Sequence, residues 1–313
     1  MSNVSSPPQN PRYSDERRAA ARRRAAQRRR DRTVILCVAS FAVLCVVLVI
    51  IAATTLGNRR DRNVASTTAT SSDTVLYMGY AVHIYPELAR NTLDPDAFST
   101  QNGLLSYDDG QLVSENGIDV SEHQGKIDWE KVADAGISFA FLRIGYRGYT
   151  EGQLYPDERF EENYAEARRC GIDVGVYFYS QAVSTAEAKH EAEYLLELLD
   201  GRELDLPVII DWEYADADSA RTDDIGGALL TSISDTFCSV IERSSYSAGI
   251  YFNKDTGYIH YDLGSLSDYA FWIADYNKTP VFYYAHEYWQ YSDSGTVDGI
   301  EKPVDLNLRF VEK

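Results

Sequence analysis

The sequence is poor in the residues that metal, redox and nucleotide chemistry use. Its five histidines (His83, His123, His190, His260 and His286) are scattered, with no H-E-x-x-H or other ligand spacing, so no metal and no other cofactor is expected. Four cysteines occur without a C-x-x-C pair, which excludes a zinc ribbon. Cys37 and Cys45 fall inside an apolar run, and Cys170 and Cys238 could form one disulfide or stay as buried thiols. There is no G-x-S-x-G nucleophile elbow, no Gly-rich phosphate loop and no internal repeat. The acidic stretch Asp216, Asp218, Asp223, Asp224 is no EF-hand: counted from Asp216, Arg221 and Gly227 stand where Gly and Glu are required.

Positive charge is also scarce over most of the chain. The net charge is −18 over 313 residues, but residues 1–62 hold 13 arginines against 4 acids, a net of +9. Residues 63–313 hold 17 basic and 44 acidic residues, a net of −27. A segment so acidic repels polyanions, which excludes nucleic acid as its partner.

What is present begins with a membrane signal. Thr33 to Gly57 carries no charge, and roughly 20 apolar residues suffice to cross a bilayer. Ten arginines precede this run and three closely follow it. The positive-inside rule then gives a single-pass cell-membrane protein, N-terminus cytoplasmic and the body extracellular. Membrane lipids are the expected partners of the helix and of the Arg-rich tail. The chain therefore divides into a basic cytoplasmic tail (1–32), a transmembrane helix (33–57), a flexible Ser/Thr-rich spacer (58–74), a small ordered stalk (75–114) and a body (115–313). Within the stalk, Leu104–Val113 carries Asp109-Gly110 between apolar runs and reads as a β-hairpin.

In the body, short apolar runs alternate with helical stretches. Strands are expected at Gly117–Val120, Phe139–Gly145, Asp173–Tyr179, Pro207–Trp212, Ala248–Phe252, Ala270–Ala274, Glu287–Tyr291 and Val304–Leu308. Helices are expected at Trp129–Ala135, Glu158–Cys170, Ala186–Leu199 and Gly227–Ser244. Eight strands interleaved with helices predict an α/β fold, an irregular (β/α)8 TIM-like barrel with reduced helices, preceded by the transmembrane helix.

Chemistry in such a barrel sits where the strands end. Asp119 interrupts an apolar run, Asp211 and Glu213 close another, and Asp305 lies in Val304-Asp305-Leu306-Asn307. Asp211 and Glu213, two apart on a strand, point to one face. Mutual repulsion there can leave one carboxyl protonated, and one acid with one carboxylate is what cleavage of a glycosidic bond requires. Aromatics cluster at the same strand ends, suited to the flat face of a sugar. Tyr177, Tyr179, Tyr251, Trp272, Tyr276 and Trp289, with Gln290, are the expected substrate-binding residues.

The segments GIDVSEHQGKIDW (117–129), FLRIGYRGY (141–149), DERFEENYAEARRCGIDVGVYFYS (157–180), PVIIDWE (207–213), GIYFN (249–253), FWIADY (271–276), WQYS (289–292) and VDLN (304–307) resemble the glycoside hydrolase family 25 lysozymes, the Chalaropsis-type N-acetylmuramidases. The resemblance covers 115–313 in order. It implies a lysozyme that cleaves the β-1,4 bond between N-acetylmuramic acid and N-acetylglucosamine, with peptidoglycan glycan strands as partner. It makes Glu213 the general acid and Asp211 the residue that stabilises the developing positive charge or positions the substrate's acetamido group or water. Asp119 and Asp305 then support the constellation by hydrogen bonding. The sequence departs from many relatives at Phe178, where they carry His. Two alternatives stand beside this reading, a catalytically silent glycan-binding module and a hydrolase of another N-acetylated glycan.

The charge distribution yields a prediction. An acidic body beside an anionic wall is repelled at low ionic strength, so digestion of wall material is expected to speed up with moderate salt as screening grows. A steep decline in rate from the lowest salt upward would contradict it.

Overall fold

The computed structural model describes residues 74–215 and 220–313. The tail, the apolar run 33–57 and the spacer up to residue 73 lie outside them, as do Asp216 and Asp218. Among the described residues no helix is long and apolar enough to cross a membrane.

Two hairpins come first, β1 (Thr74–Tyr77) with β2 (Tyr80–His83) and β3 (Phe98–Gln101) with β4 (Leu104–Tyr107). Their turns, Met78-Gly79 and Asn102-Gly103, hold both residues at positive φ, the geometry that matches strand twist in a two-residue hairpin. The hairpin expected over Leu104–Val113 is shifted. β4 ladders with β3, and Asp109-Gly110 only turns the chain into the next strand through a single Asp108–Val113 bridge. Ile84, Tyr85, Leu88 and Phe98 of this segment pack on the core of the body.

Nine further strands follow: β5 (Leu112–Val120), β6 (Phe139–Arg147), β7 (Leu154–Pro156), β8 (Asp173–Ser180), β9 (Val208–Trp212), β10 (Ala248–Asn253), β11 (Ala270–Ala274), β12 (Tyr288–Gly295) and β13 (Val304–Glu312). In the order β5-β13-β12-β11-β10-β9-β8-β6 they form an eight-stranded barrel closed by a β5–β6 pairing, with short β7 laid against β6.

This overturns the expected (β/α)8 barrel. Every neighbouring pair from β5 through β6, β8, β9, β10 and β11 to β12 is parallel, but β13 runs antiparallel to both β12 and β5. The cause is connection length. Only residues 296–303 join β12 to β13, whereas a parallel crossover takes roughly a dozen residues or more. Four α-helices lie among the described residues: α1 (Trp129–Asp134), α2 (Phe160–Arg169), α3 (Thr185–Leu199) and α4 (Gly227–Arg243). After β10 the chain makes only a π turn (Thr256–His260) and a 3-10 turn (Leu263–Leu266). The result is a mixed β-barrel with helices on part of its outside.

Strand alternation sorts the core into two. Outward residues such as Val208, Ile210 and Trp212 of β9 meet the helices, while Ile209 points inward with Phe139, Phe141, Tyr177, Tyr251, Trp272 and Tyr288. α3 shows how a helix covers the outside. Ser184 caps it by accepting from Glu187 N–H, and Ala188, Glu191, Ala192, Leu195 and Leu199 form its buried stripe. At the bottom of the barrel Arg309 donates to Glu115 (2.7 Å) and Asp173 (2.8 Å). Above it the aromatic layer fills the bore, with Phe141 stacked on Trp272 at 4.5 Å. The thiols of Cys170 and Cys238 are free, and Cys238 is on the buried face of α4.

The aromatic layer fits because small residues face it. A Cβ on Gly117 would collide with the Phe139 ring, and one on Gly175 would lie 2.6 Å from Phe141. Gly117→Ala is therefore expected to cost about 1–3 kcal/mol through overpacking, read as a lower denaturant midpoint, with Phe139→Leu in the same chain recovering part of the loss. An unchanged midpoint would show that the bore is not tightly packed.

Candidate active site

The polar groups of the barrel lie above the aromatic layer, at one rim, in a cleft of about 590 Å³. Six parallel strands of one direction bring residues from near their C-terminal ends. Asp119 comes from β5, Arg143 from β6, Tyr177 and Tyr179 from β8, Asp211 from β9, Tyr251 from β10 and Trp272 from β11. Glu213 follows one residue after β9. Because β13 runs the other way, Asp305 reaches the same rim from the second residue of its strand.

Register sets the neighbours. Asp305 is directly paired with Asp119, and Asp211 lies between Tyr179 and Tyr251 on the flanking strands. All four expected acids line the cleft, together with Tyr177, Tyr179, Tyr251, Trp272, Tyr276 and Gln290. Trp289 does not. It alternates with Tyr288 and Gln290 along β12, so it points outward. There it is fully buried, donates from Nε1 to the Asp275 carbonyl (2.7 Å) and meets Phe98 edge-on at 5.6 Å. Its expected role in binding substrate is thereby corrected to packing.

Asp119 is held by two amides. Gln290 Nε2 (2.9 Å) and Asn307 Nδ2 (2.8 Å) both donate to its Oδ2. The amides are themselves oriented: Trp272 Nε1 donates to Asn307 Oδ1 (2.8 Å), and the hydroxyls of Tyr251 (2.9 Å) and Tyr276 (2.8 Å) donate to Gln290 Oε1. Sequence reading passed over Asn307, although its spacing of two from Asp305 places it on the same face. It also passed over Arg143, which the inward parity of Phe139 and Phe141 points into the bore. Arg143 donates to Asp157 (2.8 Å), pairs with Glu122 (3.2 Å) and lies 4.8 Å over the Tyr146 ring. Glu122, His123, Tyr146, Arg147, Tyr149 and Asp293 complete the rim.

Burial raises the proton affinity of all four acids. Desolvation pushes Asp211 far above the carboxylate range, and the Glu213 charge adds to this while Arg143 opposes it. Desolvation also raises Glu213, with the Asp119 charge in the same direction and a hydrogen bond with Asp211 against it. Asp119 is raised by burial, though Asn307, Gln290 and Asp305 pull it back. Asp305 is pushed up to about 9 by burial first and the Asp119 charge second. Asp305 thus keeps its proton at neutral pH and can donate it to Asp119. Asp211 Oδ1 is buried with no hydrogen-bond partner among the described residues. The arrangement gathers four carboxyls of raised proton affinity, walled by tyrosines, which suits general acid catalysis on a sugar. Among the described residues no cluster of His, Cys, Asp and Glu has the geometry of a metal site.

Comparison with known proteins identifies the family. The model of the glycosyl hydrolases family 25 matches residues 118–300. Lysozyme M1 of Streptomyces globisporus is 30% identical over 203 residues, 61% of this chain and 66% of its own. The crystal structure of the bacterial lysozyme from Streptomyces coelicolor superposes with a TM-score of 0.53 at 27% identity, over 62% of this chain and 90% of that one. The modular autolysin LytC from Streptococcus pneumoniae, in complex with a synthetic peptidoglycan ligand, shares the fold with a TM-score of 0.56 at 23% identity. That match takes in 69% of this chain, which covers 52%, about half, of the autolysin. With the family match extending over more than half of its length, the chain belongs to family 25 of the glycosyl hydrolases and is a glycoside hydrolase.

Proposed function

We propose that this protein is a muramidase that cuts the β-1,4 bond between N-acetylmuramic acid and N-acetylglucosamine in peptidoglycan. The observation that carries the reading is the rim itself, four carboxyls with raised proton affinity in one tyrosine-walled cleft. Similarity to proteins named lysozyme and autolytic lysozyme supports the substrate class.

Glu213, its proton affinity raised by burial, donates its proton to the glycosidic oxygen as the C1–O bond breaks. The departing sugar leaves as an alcohol, and positive charge develops on the ring that stays. Asp211, whose own proton burial holds in place, positions the substrate's acetamido group or water by hydrogen bonding. Asp119, oriented by its two amides, and Asp305, sharing a proton with it, fix the geometry. Water then adds at C1, and its proton returns to Glu213. The proposal extends to location. The uncharged run 33–57 and the ten arginines before it support a single-pass tether in the cell membrane, with the Arg-rich tail on anionic lipid inside and the hydrolase outside.

Digestion of purified peptidoglycan by the full chain, followed by mass spectrometry of reduced muropeptides, is expected to show new reducing ends on muramic acid. Reducing ends on glucosamine alone would overturn the bond assignment, and wall binding without product would favour a silent glycan-binding module. Glu213→Gln is expected to lower kcat by about 10²–10⁴-fold.

The pH profile offers a separate check. Glu213 acts in its protonated form, so kcat/KM declines as pH rises through its raised pKa. Asp119→Asn removes a negative charge that holds that pKa up, so Glu213 ionises more readily and the alkaline limb moves to lower pH. A limb that stays in place or moves upward would break the assignment of Glu213.

A further inference from the structure

We infer that the N-terminal hairpin β1–β2 forms one wall of a glycan-binding site on the leaving-group side of Glu213, with the ring of Tyr77 as its stacking face. A second cavity, of about 480 Å³, adjoins the cleft and shares Glu213, Tyr251 and Tyr276 with it. Tyr77 lines this cavity together with Asn253 at the end of β10, Lys254 just after it, and Asn277 beyond β11. The inference rests on the glycosidase reading above. An acid that protonates a glycosidic oxygen stands between the two sugars joined by the bond. Asp119, Asp211 and Asp305 line only the first cavity, so the ring that gains positive charge belongs there. The ring that leaves falls on the far side of Glu213, in the second.

The hairpin is placed for this task. Leu76 in β1 and Met78 in the turn are 78% and 71% exposed, while Tyr77 between them turns toward the body. Its ring centroid lies 4.5 Å from that of Tyr258, and its hydroxyl donates to Asp255 Oδ1. These two contacts fix the ring, so presenting it to a ligand costs little conformational entropy. Tyr276, which lines the same cavity, is 53% exposed. Lys254 is held by Asp275 at 2.7 Å, and Asn277 by the same carboxylate. Two aromatic faces with amide and ammonium groups at the edge match a pyranose ring with its hydroxyl and acetamido groups. The hairpin lies outside residues 118–300 that match the family.

The test compares affinities in the full chain carrying Glu213→Gln, so that slow turnover does not consume the ligand. Isothermal titration uses a peptidoglycan tetrasaccharide, long enough to span both cavities, and the corresponding disaccharide. Adding Tyr77→Ala is expected to weaken the tetrasaccharide about tenfold, the scale of losing one well-packed aromatic, and the disaccharide much less. Tyr77→Phe keeps the ring and is expected to hold tetrasaccharide affinity within about threefold. It also serves as the folding control through its unfolding midpoint. Equal losses for the two lengths in Tyr77→Ala, or no loss for the tetrasaccharide, overturn the inference. A parental chain that binds both oligosaccharides while wild type releases no reducing ends would sink the hydrolase reading and leave the affinity comparison to decide the hairpin's role. Failure to bind either oligosaccharide overturns both.

Discussion

The active rim depends on β13 being inserted antiparallel between β12 and β5. That pairing closes the barrel, and its register places Asp305 against Asp119 and Asn307 against Gly117 and Gln290. Side chains alternate with a period of two, so the strand has only one useful registration. A slip by a single residue would turn Leu306 and Leu308, now in the outer core, into the bore and push Asp305 and Asn307 among the helices. The apolar outside and the polar rim therefore specify the same register, and neither could be satisfied without the other.

Gathering four carboxyls in one half-closed cleft is costly, since each ionised group has lost much of its water. The structure answers with groups that are matched in kind. Asn307 and Gln290 can donate to Asp119 while accepting from Trp272, Tyr251 and Tyr276, because an amide carries its donor and its acceptor on separate atoms. Their nitrogens face the carboxylate because their oxygens are already taken. Arg143 adds a buried cation, but it is engaged by Asp157 and Glu122, so it moderates the field without neutralising the acids. The outcome is a set of carboxyls whose proton affinity is raised, Asp305 up to about 9, which is the condition for acid chemistry near neutrality.

Much of this was legible from residue order, and the part that was not has identifiable causes. Each of the eight expected strand segments overlaps a barrel strand, because runs such as Val208–Ile210 are buried on both faces and carry no polar interruption until Asp211. The four acids stand out as charges at the ends of such runs. Strand direction leaves no mark on composition, so the reversal of β13 was not visible; the short link 296–303 was the available clue. Trp289 misled because closeness to a motif was given weight over parity: it neighbours Gln290 in sequence but faces the opposite side of the sheet. Asn102-Gly103, a stronger hairpin signal than Asp109-Gly110, was overlooked between two polar-looking strands. Glu191 was invisible for a different reason. An acid within the buried stripe of α3 looks like surface charge until Arg147 and Ser180 are seen to meet it, at 2.5 and 2.6 Å.

That last cluster bears on how the general acid is held. Glu213 stands one residue past the end of β9, where the ladder no longer fixes the backbone. Its carbonyl is instead caught by Gln181 Nε2 at 2.6 Å, and Gln181 Oε1 accepts from Thr222 in the following loop at 3.3 Å. Gln181 is itself fully buried, next to Ser180, whose hydroxyl donates to Glu191. Glu191 takes the guanidinium of Arg147, which also donates to the carbonyls of Gly152 and Glu187. Arg221 joins the same knot through Glu187 and the Gln181 carbonyl. A proton donor must point at the leaving oxygen to within a narrow range of distance and angle. Here that orientation comes from side chains of β6, β8, α3 and the loop beyond β9, gathered beneath the acid. Since Arg147, Ser180, Gln181 and Glu191 are buried, removing one of them would leave a charged or polar group stranded, which is why such a network favours a single geometry.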